Sequence, residues 1–239
     1  MNTILDRNNT ELSFAEYFLF KDNAQKVTRL QNVGAMSSGS LVGQGLVLTV
    51  AHALESDESP KIKYRNKILK AKILYKHPDV DAMLLGFDPS SFDGDLPYLG
   101  FSNTVNLGEK VYGLGFPLPE KLNFQPVFYR ADATSTHIYR APQYFQFCGQ
   151  ISSGCSGTVL VNDFGKVVGI VSKKAEPYND TGFPNDWNLA VSTPYFIDEI
   201  KRYLPSTSRD QQSRMSSHRI AKILEDTAVV VLACDRQRI

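Results

Sequence analysis

Between about residue 26 and residue 192 the chain is built from short apolar runs separated by turn residues, with no helical period between them. That pattern constrains the fold more than any other feature, because strands that follow one another without crossover helices pair antiparallel. Residues 26–30 alternate weakly, and residues 40–42 and 46–49 flank Gly43-Gln44-Gly45, a tight hairpin whose glycines tolerate positive φ. Residues 61–64, 68–75 and 82–87 extend this first group. A stretch rich in Ser, Asp, Pro and Gly (88–106) precedes a second group at 109–117, 127–133, 158–161, 166–171 and 188–191. The two groups predict an all-β protein of two antiparallel six-stranded β-barrels with a C-terminal helix, the seam lying near residues 102–110.

The flanks read differently. In residues 1–25, Phe14, Tyr17, Phe18 and Phe20 recur at partly helical spacing, which predicts an N-terminal helix packed on the main domain; a docking arm for a partner is the other reading. A helix is expected over 194–204. Thr193 suits its N-cap, Pro194 its first position, Asp198 and Glu199 its N-terminal half, and Lys201 and Arg202 its end, while Pro205 stops it. Phe196, Ile200 and Tyr203 or Leu204 would form its buried stripe. Residues 206–217, rich in Ser, Arg and Gln, read as a linker. Ser216 suits the cap of a short helix holding Ile220, Ile223 and Leu224, and residues 227–233 read as a strand added to a barrel edge. The expected organisation is an extension at 1–25, a main domain at 26–205 (barrels at about 26–103 and 104–192), and a linker and tail at 206–239.

Bulk composition excludes several classes of partner. With 26 basic and 25 acidic residues the net charge is +1, so neither nucleic acid nor an anionic membrane is favoured, and neither is expected as a partner. Cys148, Cys155 and Cys234 are odd in number and irregular in spacing, which argues against a disulfide framework and for a reducing compartment. The four histidines are scattered and no Cys-x-x-Cys or His-x-x-x-His spacing occurs, so no metal and no cofactor is expected. No apolar run approaches the ~20 residues needed to span a bilayer, and the first residues lack the basic start and apolar core of a leader. Cytoplasmic residence is the expectation; leaderless export, even into a host cell, is the alternative.

Three residues in strand-edge settings carry chemistry. His52 ends Leu48-Thr49-Val50-Ala51-His52, Asp81 opens Asp81-Ala82-Met83-Leu84-Leu85, and Ser156 lies between glycines in Gly154-Cys155-Ser156-Gly157. A serine hydroxyl is a poor nucleophile at neutral pH and needs a base that titrates nearby, for which imidazole is suited. The imidazole in turn needs an acceptor on its other nitrogen to fix the tautomer and stabilise the imidazolium, the place of Asp81. Gly154 and Ser156 can aim backbone N–H groups at a developing oxyanion, since glycine permits the tight backbone this requires. The set suits transfer of an acyl group from a protein or peptide substrate to the serine. His77, His137 and His218 have no such companions and read as structural.

Over about residues 27–205 the chain resembles the trypsin-like (chymotrypsin-fold) serine peptidases, and in detail their leaderless bacterial and high-temperature-requirement-type members, here without a PDZ domain. The resemblance rests on Gly39-Ser40-Leu41 through His52, on His77-Pro78 with the Asp81 block, on Gly154-Cys155-Ser156-Gly157, and on Gly169-Ile170-Val171-Ser172. It implies a chymotrypsin-like double barrel, a serine endopeptidase with a His52, Asp81, Ser156 triad, and Ser172 as a hydrogen-bonding support for Asp81. It also implies a specificity pocket at Gln150, Val171, Lys173 and Lys174. Gln150 stands where relatives that bind basic side chains carry an Asp, and Val171 where glutamate-selective relatives carry a His, so a neutral, small-to-medium P1 residue is expected. Lys173-Lys174 replaces an aromatic and a glycine of many relatives, and would narrow the pocket or attract an acidic flank. Cys155 replaces the Asp that pairs with a new N-terminus in zymogens; it reads as a buried thiol, with no activation by cleavage. A catalytically silent adaptor, with 206–239 as its partner arm, is the competing reading, and cleavage of its own linker a narrower one.

Overall fold

The hairpin signal at Gly43-Gln44-Gly45 has its counterpart in β3 (Val33–Gly43) and β4 (Leu46–Thr49), which pair antiparallel with Ser40 opposite Leu48 and Leu41 opposite Val47. Gly45 turns the chain at φ +69, and a Cβ there would lie 2.3 Å from the carbonyl oxygen of Phe87, so the position takes only glycine. The structure, a computed structural model, describes residues 4–5, 11–12, 33–54, 58–117, 124–138, 140–149, 151–174, 187–205 and 213–235. The N-terminal helix expected around Phe14 to Phe20, the strand expected at 26–30, Gln150 and residues 206–212 lie outside the described residues. Ahead of β3, β1 (Ile4–Leu5) pairs with β2 (Glu11–Leu12).

β5 (Glu58–Tyr64), β6 (Lys67–Lys76) and β7 (Met83–Phe87) continue the first barrel, which closes in the order β14-β3-β4-β7-β6-β5. Its sixth strand is β14 (Ala228–Asp235), from the far end of the sequence. This run does not add to an edge. It lies between β3 and β5 and pairs antiparallel with both, Val231 standing opposite Ser37 on one side and Ile62 on the other. The reason is in its two faces. Val229, Val231 and Ala233 point into the barrel among Leu41, Val47, Ile62 and Leu85, whereas Val230 and Leu232 point into an apolar layer shared with the second barrel, among Leu48, Leu114, Val161 and Phe196. A strand covered on both sides reads as a continuous apolar run, not an alternating one.

The second barrel comprises β8 (Lys110–Gly115), β9 (Val127–Ser135), β10 (Tyr144–Cys148), β11 (Val159–Val161), β12 (Val167–Lys174) and β13 (Trp187–Ser192), closed in the order β10-β13-β12-β11-β8-β9. β10 is absent from the strands read in the sequence. Its aromatics Tyr144, Phe145 and Phe147 suit a strand, but Gln146 between them is buried as well, so the polar-out alternation is missing. The segment between the barrels is sewn to both: Leu99 N donates to Leu41 O at 3.0 Å, and Val167 N to Gly100 O at 2.8 Å.

The helix expected over 194–204 is resolved into short pieces: a 3-10 turn at Thr193–Tyr195, an α-helical turn at Ile197–Ile200 and a second 3-10 turn at Lys201–Tyr203. Thr193 is buried and its hydroxyl donates to Val167 O, which holds it against β12 instead of freeing it to cap. Phe196, at φ −145, leaves helical geometry so that its ring enters the shared apolar layer. The helix Ser217–Thr227 follows the sequence closely. The Ser216 side chain caps it by accepting from Arg219 N at 3.3 Å, and Ile220 and Leu224 are buried in the same layer.

Candidate active site

β4 delivers the chain into a 3-10 turn, Ala51–Ala53, whose alanines are buried while the His52 side chain is 49% exposed. Asp81 sits on the turn before β7, 12% exposed. Both its oxygens are engaged. Oδ1 accepts from the backbone N–H of His52 at 2.9 Å, and Oδ2 faces His52 Nδ1 at 2.6 Å and also accepts from the Ser172 hydroxyl on β12. An ionised carboxylate only accepts, so a proton lies on Nδ1, and in the neutral imidazole the lone pair of Nε2 is left for another donor. Burial alone would raise the Asp81 carboxyl; the hydrogen bonds from the His52 ring, Ser172 and the His52 backbone, with the His52 charge, together hold it below its ordinary value.

His77 shapes the turn that presents this carboxylate. Its Nδ1 accepts from the N–H groups of Asp79 and Val80, both at 3.1 Å, and its own N–H donates to Ala82 O at 2.9 Å. Its ring packs edge-on to Tyr75 with centroids 5.9 Å apart. His77 is therefore a structural histidine, as the sequence suggests.

Ser156 lies on the loop between β10 and β11, folded as two successive turns, with Cys155 N donating to Ser152 O at 3.1 Å and Thr158 N to Cys155 O at 3.0 Å. Gly154 and Gly157 take φ of +95 and +86. At Gly157 a Cβ would stand 2.0 Å from Ser38 O and 2.4 Å from Thr49 Oγ1, so the first barrel presses directly on the loop.

The contact that fastens loop to barrel comes from Ser38 on β3, a residue the sequence does not flag. It is fully buried. Its N–H donates to Ser156 O at 2.8 Å, its hydroxyl donates to Gly154 O at 2.7 Å and accepts from Phe116 N at 2.9 Å, and its carbonyl accepts from the Thr49 hydroxyl at 2.7 Å. Ser38 thus holds the carbonyls of Gly154 and Ser156, and through Thr49 it abuts the strand that ends at His52. On the other side, Gly157 N donates to Val171 O at 2.8 Å, next to Ser172 and so to Asp81. The structure joins His52, Asp81 and Ser172 by direct hydrogen bonds, and it ties the loop of Gly154 and Ser156 to the strands carrying that group. The signal for Ser38 was three serines inside an otherwise apolar strand, Ser37-Ser38-Gly39-Ser40.

Of the residues expected to line a specificity pocket, Val171 is buried in the second barrel, opposite Ala190. Lys173 and Lys174 belong to β12, their backbones opposite Leu189 and Asn188. Asn188, unremarked in the sequence, is buried and donates from Nδ2 to Gly149 O. Cys155 is buried, in the second barrel's interior. Among the described residues no cluster of three metal-ligating side chains occurs, and no helix is long and apolar enough to cross a membrane.

Two closed six-stranded barrels with a histidine–carboxylate pair and a glycine-flanked serine at their junction define the chymotrypsin-like class of folds. The sequence profile of the trypsin-like peptidase domain matches residues 37–170, and the chain belongs to that family. Curated relatives include Protease Do-like 2, chloroplastic, of Arabidopsis thaliana, 30% identical over 56% of this chain and 23% of its own length. Another is Serine protease HtrA-like of Staphylococcus aureus, 26% identical over 65% of this chain and 21% of its own length. The chain thus spans less than a quarter of the curated relatives it matches. Among solved structures, the serine endoprotease from Yersinia pestis superposes with a TM-score of 0.57 at 19% identity, covering 81% of this chain and 67% of that one. The Rv3671c protease in its inactive form superposes at 0.55 and 18% identity, covering 72% and 85%. These two likenesses speak to the fold.

Proposed function

We propose that the chain hydrolyses peptide bonds through an acyl-enzyme, with Ser156 as nucleophile, His52 as general base and acid, and Asp81 as the group that orients His52. The Ser156 hydroxyl attacks the scissile carbonyl carbon while its proton passes to His52 Nε2. The N–H groups of Gly154 and Ser156 receive the oxyanion. Collapse breaks the C–N bond, and the amine leaves with the proton from His52. Water, deprotonated by the same nitrogen, then attacks the ester and releases the acid and Ser156. The observation that carries this reading is the hydrogen-bonded set His52–Asp81–Ser172, which leaves Nε2 as a proton acceptor at 49% side-chain exposure. In such sites a general base contributes about 10²–10⁴-fold and one oxyanion donor about 10²–10³-fold.

The P1 preference in this reading is neutral and small to medium, because neither Gln150 nor Val171 offers a charge to a buried ionic side chain. A serine-directed fluorophosphonate tests the core of the proposal. Wild type is expected to be labelled, Ser156→Ala not at all, and His52→Ala and Asp81→Asn slowly. Folded wild-type protein that ignores the probe would overturn the reading, and a library profile dominated by Arg or Glu at P1 would overturn the specificity.

A further inference from the structure

The near-neutral total conceals a strong charge separation. Residues 61–76 carry Lys61, Lys63, Arg65, Lys67, Lys70, Lys72 and Lys76 with no Asp or Glu, which leaves 19 basic against 25 acidic residues in the rest of the chain. All seven cations sit on one antiparallel ribbon, β5–β6. Ile62 and Tyr64 point into the first barrel, so Lys61 and Lys63 between them point out. Lys70 stands directly opposite Lys61 and Lys72 follows it on the same face, opposite Gly86, which offers no side chain. A like-charged pair set face to face across a ladder is destabilising. Lys61, Lys70 and Lys72 have no carboxylate within ion-pair distance among the described residues, so no ion pair among these offsets that cost.

We propose that this outward face of β5–β6 docks an acidic polypeptide segment of a protein substrate; the link to substrate rests on the endopeptidase reading above. Charge complementarity points to a polyanion, and the side chains present choose among polyanions. Six of the seven cations are lysines, point charges suited to carboxylates; Arg65, Lys63 and Lys67 already lie over the Tyr64, Phe124 and Phe92 rings and Lys76 donates to Leu54 O, so Lys61, Lys70 and Lys72 are the charges a ligand would meet first. The Tyr64 ring is buried, and the ribbon's outer row of Lys61, Lys63, Ile68, Lys70 and Lys72 has no aromatic on which a base could stack. A convex barrel wall touches a flat lipid surface along only part of such a row, whereas a flexible acidic chain can follow all of it.

The ribbon also leads to the site. Lys76, at the end of β6, donates to Leu54 O at 3.0 Å, two residues beyond His52. From there to Lys70 is six residues of strand, about 20 Å. An extended substrate bound at His52 would therefore place its acidic cluster roughly six or more residues from the bond that is cut.

The test uses the full chain carrying Ser156→Ala, so that a bound peptide survives, and a fluorescein-labelled twelve-residue Asp/Glu peptide read by anisotropy. Saturable binding is expected, weakened at least about tenfold by Lys61→Glu/Lys70→Glu/Lys72→Glu and abolished by salt well above 0.1 M. The neutral variant Lys61→Gln/Lys70→Gln/Lys72→Gln, checked for unchanged circular dichroism, is expected to fall between them. Absence of binding, equal binding by all three proteins, or tighter binding to oligo-dT or to phosphatidylglycerol vesicles would each overturn the proposal. These outcomes do not depend on whether Ser156 is a nucleophile. In the cleavage arm, with Ser156 intact, the Gln variant is expected to raise KM for an acidic-tailed substrate while kcat, and KM for an untailed peptide, stay unchanged. Unchanged KM for the tailed substrate counts against the docking face even where fluorophosphonate labelling upholds the peptidase reading.

Discussion

At the scale of residues, Asp81 shows what each contact in the candidate site is for: both its oxygens already hold donors. Replacing it with Asn keeps the shape but can donate to Nδ1 and stabilise the wrong tautomer, so kcat is expected to fall by about 10⁴-fold with KM little changed, as steady-state kinetics on a peptide amide would show. The same residue makes a pH-dependent contribution to stability. Its carboxyl is held below the ordinary value in the fold, so its contribution is complete above the unfolded value near 4 and is lost as pH falls through the lower folded one. The stability gap between wild type and Asp81→Asn should therefore close on acidification from about pH 5 to pH 2, measured by urea unfolding at each pH. Ser38 makes the complementary case. Ser38→Ala leaves its backbone bonds to Ser156 and Thr49 but orphans Phe116 N and Gly154 O, at a cost of about 1–3 kcal/mol, and should slow fluorophosphonate labelling while an intact His52–Asp81 pair remains. His52, Asp81 and Ser156 could be put forward from the sequence because each stands in a short local pattern. Ser38 could not, since the partners of its hydroxyl, Gly154 and Phe116, lie far along the chain beside the other barrel and no local period reports them.

At the scale of elements, the loop between β10 and β11 is a device for bringing a serine against another barrel, and its two glycines are required for different reasons. Gly154 turns the loop, whereas Gly157 both turns it and lets Ser38 O approach. Gly157→Ala would set a methyl against backbone and not against a yielding side chain. It should destabilise by more than the ~1–2 kcal/mol of the left-handed conformation alone and eliminate labelling, with a lowered Tm by differential scanning calorimetry. A variant that labels at the wild-type rate would show that the loop does not need this approach. Apolar runs bounded by turn residues, such as β4 and β7, or joined by a short hairpin, such as β3–β4, could be read directly. β10 escaped because its polar residue is buried with its aromatics. The helix expected at 194–204 looked whole because its end signals are sound, but Thr193 and Phe196 are claimed by tertiary contacts that outweigh local preference.

At the scale of the molecule, every candidate catalytic residue lies between His52 and Ser172 and the family match ends at residue 170, so residues beyond 205 look dispensable by position. The barrel closure says otherwise. β14 supplies one of six strands in the first barrel and hydrogen-bonds to β3, which carries Ser38, and to β5, which carries half of the basic ribbon. Without it, Leu41, Val47 and Ile62 would lose their cover on one side, and the shared layer would lose Val230 and Leu232 together with Ile220 and Leu224 from the adjoining helix. Each fully buried aliphatic side chain contributes about 1.5–3 kcal/mol, so four such losses are comparable to the whole ~5–15 kcal/mol margin of an ordinary domain. A chain ending at Pro205 is therefore expected to lose cooperative unfolding of the first barrel and, with Ser38 and His52 no longer held, fluorophosphonate labelling of Ser156. Supplying residues 213–239 as a separate peptide should restore part of the labelling, because β14 bonds to its neighbours through backbone ladders that need no covalent link. Full labelling and an unchanged thermal transition in the truncated chain would show that five strands suffice and that the far end of the sequence serves some purpose other than closing the barrel.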